Sequence, residues 1–312
     1  MTISFKVSEN TKQKAIEYFK DKRRDKTPAY AIFQADEEDT VVTLYESGSM
    51  VFQGVSADID ANIWKETEKH LNPNKKIEEK KKKEPTKKEE TNLKKYYFAT
   101  TIGSDEVGTG DFFGPIVVTS SYVTKDDIPF LENLGVRDSK KLTDEKILEI
   151  VPKIIKRIPY KSFILNNTDY NNFYSKDVNM NKMKAILHNK VLVSLASEQK
   201  VFDYIVVDEF AKEYVYYSYL RDVKQVCKNI TFLTKAEDKV LSVACASIIS
   251  RYIFIKEFDK LSKELGILLP KGAGTIVDEI AKTIVQKYGY DKLKEIAKMN
   301  FKNVLKINDS IQ

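Results

Sequence analysis

Gly103-Ser104-Asp105-Glu106-Val107-Gly108-Thr109-Gly110-Asp111-Phe112-Phe113-Gly114-Pro115 sets two adjacent carboxylates ahead of a glycine-rich turn. The apolar run Tyr96-Tyr97-Phe98-Ala99-Thr100-Thr101-Ile102 leads in, and Ile116-Val117-Val118-Thr119 leads out. Both flanks are short, β-branched or aromatic, and bounded by Gly or Pro, which predicts a strand on each side. The acids then fall at the end of the first strand. Neighbouring side chains in a regular strand point to opposite faces. For Asp105 and Glu106 to serve one site, the backbone must leave regular geometry, which Gly108 and Gly110 permit. Two like charges side by side disfavour ionisation unless a cation neutralises them. A hard ion that takes carboxylate and water oxygens, Mg²⁺ or Mn²⁺, answers that need. The same residues also read as a solvated turn, and alone they leave both readings open.

Other labels for this stretch fail on spacing. A dinucleotide fingerprint needs Gly-x-Gly-x-x-Gly opening a helix, whereas Gly114 comes one residue late and a strand follows. A calcium loop needs alternating acids closed by Glu, and aromatics follow Asp111 here. Downstream, Gly135-Val136-Arg137-Asp138-Ser139-Lys140-Lys141-Leu142-Thr143 is no P-loop, which requires Gly-Lys-Ser/Thr. Ser139 or Thr143 can cap the helix expected over 144–157, leaving Lys140 and Lys141 to meet an anion.

Working outward, 312 residues suggest about two domains. Apolar residues make up 42% and charged residues 31%, the composition of a soluble globular chain. No run of about eighteen apolar residues offers a membrane span, and the start lacks a signal-peptide hydrophobic region. Cys227 and Cys245 are the only cysteines, too few for a disulfide framework or a zinc site, which suits the cytosol. A net charge of +6 is mild and decides little about nucleic acid. Of the two histidines, His70 precedes the lysine-rich segment and His188 lies in a helical pattern, so neither looks placed for catalysis. Serine triads and histidine zinc sites drop out, leaving carboxylates, lysines or metal-bound water for acid–base work.

Residues 1–71 read as a β-α-β-β-β-α unit: a strand over 2–7, a helix over 9–24, strands near 30–35, 40–46 and 49–53, and a helix over 57–71. Asp36-Glu37-Glu38-Asp39 and Ser47-Gly48 supply turns. Lys20, Lys22, Arg23, Arg24 and Lys26 cluster at the end of its first helix, either as cations favoured by the helix dipole or as a phosphate-facing patch. Residues 72–95 are rich in Lys and Glu and read as a solvated linker, with nothing to bury. In residues 96–312 further strands are expected over 161–165, 202–209 and 230–233, with long helices over 180–199 and 240–265 and two short ones at the end. Phe202-Asp203-Tyr204-Ile205-Val206-Val207-Asp208-Glu209 again delivers acids at the end of a strand, where ligands gather in open α/β sheets. Lys235-Ala236-Glu237-Asp238-Lys239 sets two more at a helix start, unremarkable in isolation.

Taken in order, these motifs resemble the type 2 ribonuclease H family, and within it the HIII branch. The resemblance covers residues 96–301 and rests on Asp105-Glu106-Val107-Gly108-x-Gly110-x-x-x-Gly114-Pro115, Asp138-Ser139-Lys140-Lys141-Leu142, Val207-Asp208, Lys235-Ala236-Glu237 and Ala246-Ser247-Ile248. Thr109 stands where the HII branch typically has Arg, as in HIII. The family implies an α/β, RNase H-like fold: a mixed five-stranded sheet flanked by helices, behind a small N-terminal α+β domain resembling half of the TATA-binding-protein fold. It further implies endonucleolytic cleavage of the RNA strand of RNA–DNA hybrids by two-metal-ion catalysis with Mg²⁺ or Mn²⁺, leaving 5′-phosphate and 3′-hydroxyl ends. Asp105, Glu106 and Asp208 match the family's metal-binding acids, and Glu237 the fourth, with adjacent Asp238 as its alternate. Gly108, Thr109 and Gly110 would let backbone approach a ribose, with Ser139, Lys140, Lys141 and Lys271 on flanking phosphates. A cytoplasmic monomer is expected. The alternatives are an HII-like enzyme acting at single ribonucleotides in DNA, and a non-catalytic hybrid-binding module.

Overall fold

The chain divides into two compact units, residues 1–86 and 87–312. The computed structural model describes residues 2–37, 40–54, 57–73, 95–175 and 177–308. Most of the linker read over 72–95, and Glu38 and Asp39 of the acidic turn, lie outside the described residues.

The first unit runs β1 (Thr2–Lys6), α1 (Glu9–Tyr18), β2 (Ala31–Glu37), β3 (Thr40–Tyr45), β4 (Ser49–Gly54) and α2 (Ala57–Leu71). Its antiparallel sheet has the order β1-β4-β3-β2. Alternation sends Phe5, Phe33, Val42, Leu44, Met50 and Phe52 inward against Ala15, Phe19, Ala61 and Trp64, all buried. On the opposite face one register row crosses the sheet as Ser4–Val51–Thr43–Gln34. The expected first helix stops six residues short of Arg24, and most of the basic cluster is engaged locally. Lys22 pairs with Glu37 at 2.8 Å, Arg24 pairs with Asp36, and Arg23 donates to the Ile16 carbonyl at 2.6 Å.

The second unit begins its sheet with β5 (Thr101–Val107) and β6 (Ile116–Val123), followed by α3 (Ile128–Asn133) and α4 (Asp144–Ile154). Next come β7 (Tyr160–Leu165), α5 (Asn167–Phe173), α6 (Met180–Glu198), β8 (Tyr204–Asp208), α7 (Glu213–Tyr219) and β9 (Ile230–Leu233). The chain closes with α8 (Leu241–Leu265), α9 (Thr275–Tyr288), α10 (Tyr290–Ile296) and α11 (Asn303–Asn308), three helices after α8 where two were expected. The sheet order is β7-β6-β5-β8-β9. β5, β6 and β7 pair antiparallel, whereas β8 runs parallel to both β5 and β9. This is the mixed five-stranded sheet the motifs imply.

The opening strand begins at Thr101 rather than Tyr96, because the aromatics before it pack as side chains outside the sheet. Residues 95–97 are helical, and Tyr96 meets Tyr204 edge-on at 4.8 Å. Asp105 and Glu106 consequently lie inside β5. Nor does the backbone leave regular geometry there, since pairing with β6 continues through Asp105↔Thr119, Glu106↔Val118 and Val107↔Val117. Strict alternation decides what each residue meets. Thr101, Gly103 and Asp105 face α8, where a Cβ on Gly103 would lie 2.4 Å from the Val243 nitrogen. Ile102, Ser104 and Glu106 face α6.

Candidate active site

β5 and β8 pair only as far as Ser104↔Val207. Asp105, Glu106 and Asp208 come next, at the carboxyl ends of two parallel strands, where open α/β sheets place their ligands. The fourth acid arrives on a single turn, Ala236–Asp238, that precedes α8 instead of opening it. The carboxylate of Asp208 pins this turn, with Oδ1 accepting from the Ala236 amide at 2.9 Å. Glu237 is 13% exposed and close enough to raise the pKa of both Asp105 and Asp208. Asp238 is 45% exposed and lies 3.1 Å from the Lys140 ammonium, which also pairs with Glu237. Geometry therefore sets Glu237 nearer the other acids.

The carboxylates differ in charge preference. Burial, then the adjacent Glu106, push Asp105 well above the ordinary range, although Ser247 and the Glu106 amide donate to it. Burial, with Glu237 and Glu106, also raises Asp208 despite the Ala236 hydrogen bond. Glu106 is buried too, but the hydrogen bond from His188, with the charge of Lys184, outweighs that and holds it at about 2. Its two oxygens have separate partners. Oε2 lies 2.8 Å from His188 Nε2, and Oε1 pairs with Lys184. His188 Nδ1 is in turn 2.8 Å from Ser104 Oγ.

Among the described residues, no three of His, Cys, Asp and Glu converge as a metal ion would require. The donor set is nonetheless oxygen-only, and two of its four carboxyls, Asp105 and Asp208, are pushed toward neutrality by burial and by the charges of Glu106 and Glu237. That is the set a hard divalent cation suits and whose repulsion it relieves.

The glycine turn beside these acids is built from both ends of the unit. Gly108 has φ +90°, and a Cβ there would meet the Pro115 carbonyl at 2.2 Å, so folding alone requires glycine. Gly110 differs. Its φ is not in the left-handed region, and among the described residues no atom lies within 4 Å of a Cβ placed on it. Asp111 Oδ1 accepts from the Gly272 amide at 2.6 Å, fastening the loop that carries Lys271. Lys298, with no exposed surface, donates from Nζ to the carbonyls of Asp111 at 2.8 Å and Gly114 at 2.6 Å.

Of the residues expected on phosphates, Ser139 is buried in the turn Val136–Lys141 and Lys141 is exposed. Lys140 joins the acids directly, and Lys271 pairs with Asp144, which Arg251 also holds. The expectation that His188 stands apart from the chemistry is corrected, because it touches Glu106. Lys184, Ser247, Arg251 and Lys298 were not singled out as site residues either. Lys184 and His188 are four apart on α6, and that spacing of two nitrogen-bearing donors on one helical face is the available clue.

A family profile described as Ribonuclease HII matches residues 102–304. A second, described as Domain of unknown function (DUF3378), matches residues 2–77. Ribonuclease HIII of Bacillus cereus (strain AH187) is 39% identical over 303 residues, spanning 96% of this chain and 94% of its own. Ribonuclease HIII of Phytoplasma mali is 51% identical over 207 residues, spanning 66% of this chain and 72% of its own. The crystal structure of Bst-RNase HIII in complex with Mn²⁺ superposes with a TM-score of 0.70 at 35% identity, covering 100% of this chain and 99% of the other. Aquifex aeolicus RNase H3, at 24% identity and TM-score 0.53, shares the fold.

Proposed function

The chain belongs to the type 2 ribonuclease H family, within its ribonuclease HIII branch, and from that premise we propose that this metal-dependent ribonuclease H cleaves the RNA strand of RNA–DNA hybrids. The observation that supports the reading is that Asp105, Glu106 and Asp208 follow directly where the pairing of β5 and β8 ends, with Glu237 near Asp105 and Asp208. Asp105, Glu106, Asp208 and Glu237 would hold Mg²⁺ or Mn²⁺, which supply Lewis acidity to the phosphodiester and a nucleophilic water at neutral pH.

The chain's own residues do the positioning. Ser247 and the Glu106 amide orient Asp105, and the Ala236 amide orients Asp208. Lys298 and Gly272 hold the turn that presents the peptide around Gly110 to a ribose, where contact with the 2′-hydroxyl separates RNA from DNA. Ser139, Lys140, Lys141 and Lys271 lie on segments that would follow the backbone of the duplex. Cleavage leaves a 5′-phosphate and a 3′-hydroxyl. Residues 1–71 act as the substrate-binding domain, 72–95 as the tether and 96–312 as the catalytic domain. Within the first, the sheet face away from α1 and α2, where Ser4, Val51 and Gln34 are partly exposed around buried Thr43, is a candidate surface beside the basic cluster, of which Lys22, Arg23 and Arg24 are engaged locally. Two buried free thiols fit a reducing, cytoplasmic compartment. Action at single ribonucleotides is not favoured, since the curated relatives are named Ribonuclease HIII.

The test is end-labelled RNA–DNA hybrid incubated with Mg²⁺, Mn²⁺ or chelator, beside a duplex with one ribonucleotide. Cleavage of the RNA strand that needs metal and is lost in Asp208→Asn, with hybrid binding intact, is expected. Metal-independent cleavage, or an active Asp208→Asn protein, overturns the reading.

A further inference from the structure

The two partners of Glu106 are unlike in how firmly they are held. His188 is fully buried, bonded at both ring nitrogens, and stacked on Phe210 at 5.4 Å. Lys184 lies one helical turn earlier, keeps 14% of its side chain exposed, and reaches Glu106 Oε1 on a flexible four-carbon stem. Its ammonium already sits 4.2 Å from the centre of the Phe210 ring, a face that can hold a cation without Glu106. Its charge is also felt at Asp208, so its field reaches acids from two strands. An ammonium at contact distance repels a divalent cation approaching the same carboxylate oxygen, so the two compete for it.

We propose that Lys184 is a displaceable counter-cation of Glu106, a positioning residue that competes with divalent metal for Oε1 and so sets how much metal the site requires. His188 keeps hold of Oε2 while Lys184 yields Oε1 and stays over Phe210. The inference rests on reading Glu106 as a metal ligand.

The experiment measures Mn²⁺ binding to the full-length protein by calorimetry, with thermal denaturation in chelator and in Mn²⁺, for wild type, Lys184→Met, Lys184→Arg and Glu106→Gln. Lys184→Met keeps the stem and drops the charge. It should bind Mn²⁺ about three- to ten-fold more tightly, the scale of a partly buried ion pair. In chelator it should melt lower than wild type, with a larger rise on adding Mn²⁺, and Lys184→Arg should resemble wild type. A lysine that merely supported the fold would show the opposite sign, weaker metal binding on removal. Equal or weaker Mn²⁺ binding by Lys184→Met, or by Lys184→Gln should the first variant not fold, overturns the proposal. Glu106→Gln separates the two levels. If it binds Mn²⁺ as wild type does, the assignment of Glu106 as a ligand fails. If it binds weakly while Lys184→Met is unchanged, only the competition fails.

Discussion

Gly108 and Gly110 are two residues apart, yet alanine at each should act on different properties. At Gly110 the added methyl meets nothing within 4 Å among the described residues, and the backbone lies outside the left-handed region. Alanine there is unstrained and narrows the range of conformations open to the unfolded chain, which stabilises by about 0.4–1 kcal/mol. At roughly 2–4 °C per kcal/mol for a unit of this size, Tm should rise by about 1–4 °C. If the peptide at Gly110 approaches the ribose, the methyl displaces the substrate by about 1 Å, a misplacement that can cost about 100-fold in kcat/KM. Gly108→Ala should do the reverse. Its φ of +90° and the 2.2 Å approach to the Pro115 carbonyl cost at least about 2 kcal/mol, lowering Tm by several degrees. Thermal denaturation and initial rates on a short labelled hybrid measure both. A Gly110→Ala enzyme more stable than wild type and within about twofold of its kcat/KM would refute the ribose-approach argument.

Glu237→Gln should lose cleavage, or need far more metal, while Asp238→Asn stays active; the reverse rates would exchange their roles. Burial lowers the Lys298 pKa to about 7, against about 10.4 for an unfolded lysine, so the unfolded chain binds that proton first as pH falls. The Lys298 contribution to stability therefore falls between about pH 10 and 7, by up to about 1.4 kcal/mol per pH unit, and levels off below. Urea unfolding of wild type and Lys298→Met across about pH 7–9.5 checks this, and equal slopes would refute it. Removing residues 1–71 should raise KM, leave kcat within several-fold, and flatten the salt dependence of log K by about 0.7–0.9 for each phosphate no longer neutralised. Unchanged affinity and salt slope would remove that unit from substrate binding.

The element order of the first unit and the five strands of the second were legible from alternation and from turn residues, because each strand hides one face or lies between two helical layers; the short helices α3, α5 and α7 and the third terminal helix were not. The opening strand was misplaced by five residues. Tyr96, Tyr97 and Phe98 favour strands locally, yet here they pack as a side-chain cluster beside Tyr204 and Arg137. Asp105, Glu106 and Asp208 were visible because strand ends advertise themselves in sequence. Their partners were not. Lys184, His188 and Ser247 reach the site from helices whose facing depends on tertiary packing, and Lys298 reaches it from 187 residues away. The expected irregularity at Asp105-Glu106 failed for a related reason: a helix covers each face of β5, so side chains on both sides of a regular strand find partners.

The lysine beneath the glycine turn also sets an order in which the parts of the site become available. All four acids and the whole of α8 precede residue 266, so a nascent chain carries the full set of carboxylates before it carries Lys298. The floor under the turn comes from residues 296–298: the Ile296 carbonyl, the Lys298 amide on the Phe112 carbonyl, and Lys298 Nζ. Chains generally fold from the amino end as they emerge. A chain stopped before Lys298 would own every acid and lack the support that shapes the turn. The turn beside the acids is thus completed by contacts between parts of the chain made far apart in time, and a nascent unit carries its carboxylates before it carries the support for that turn.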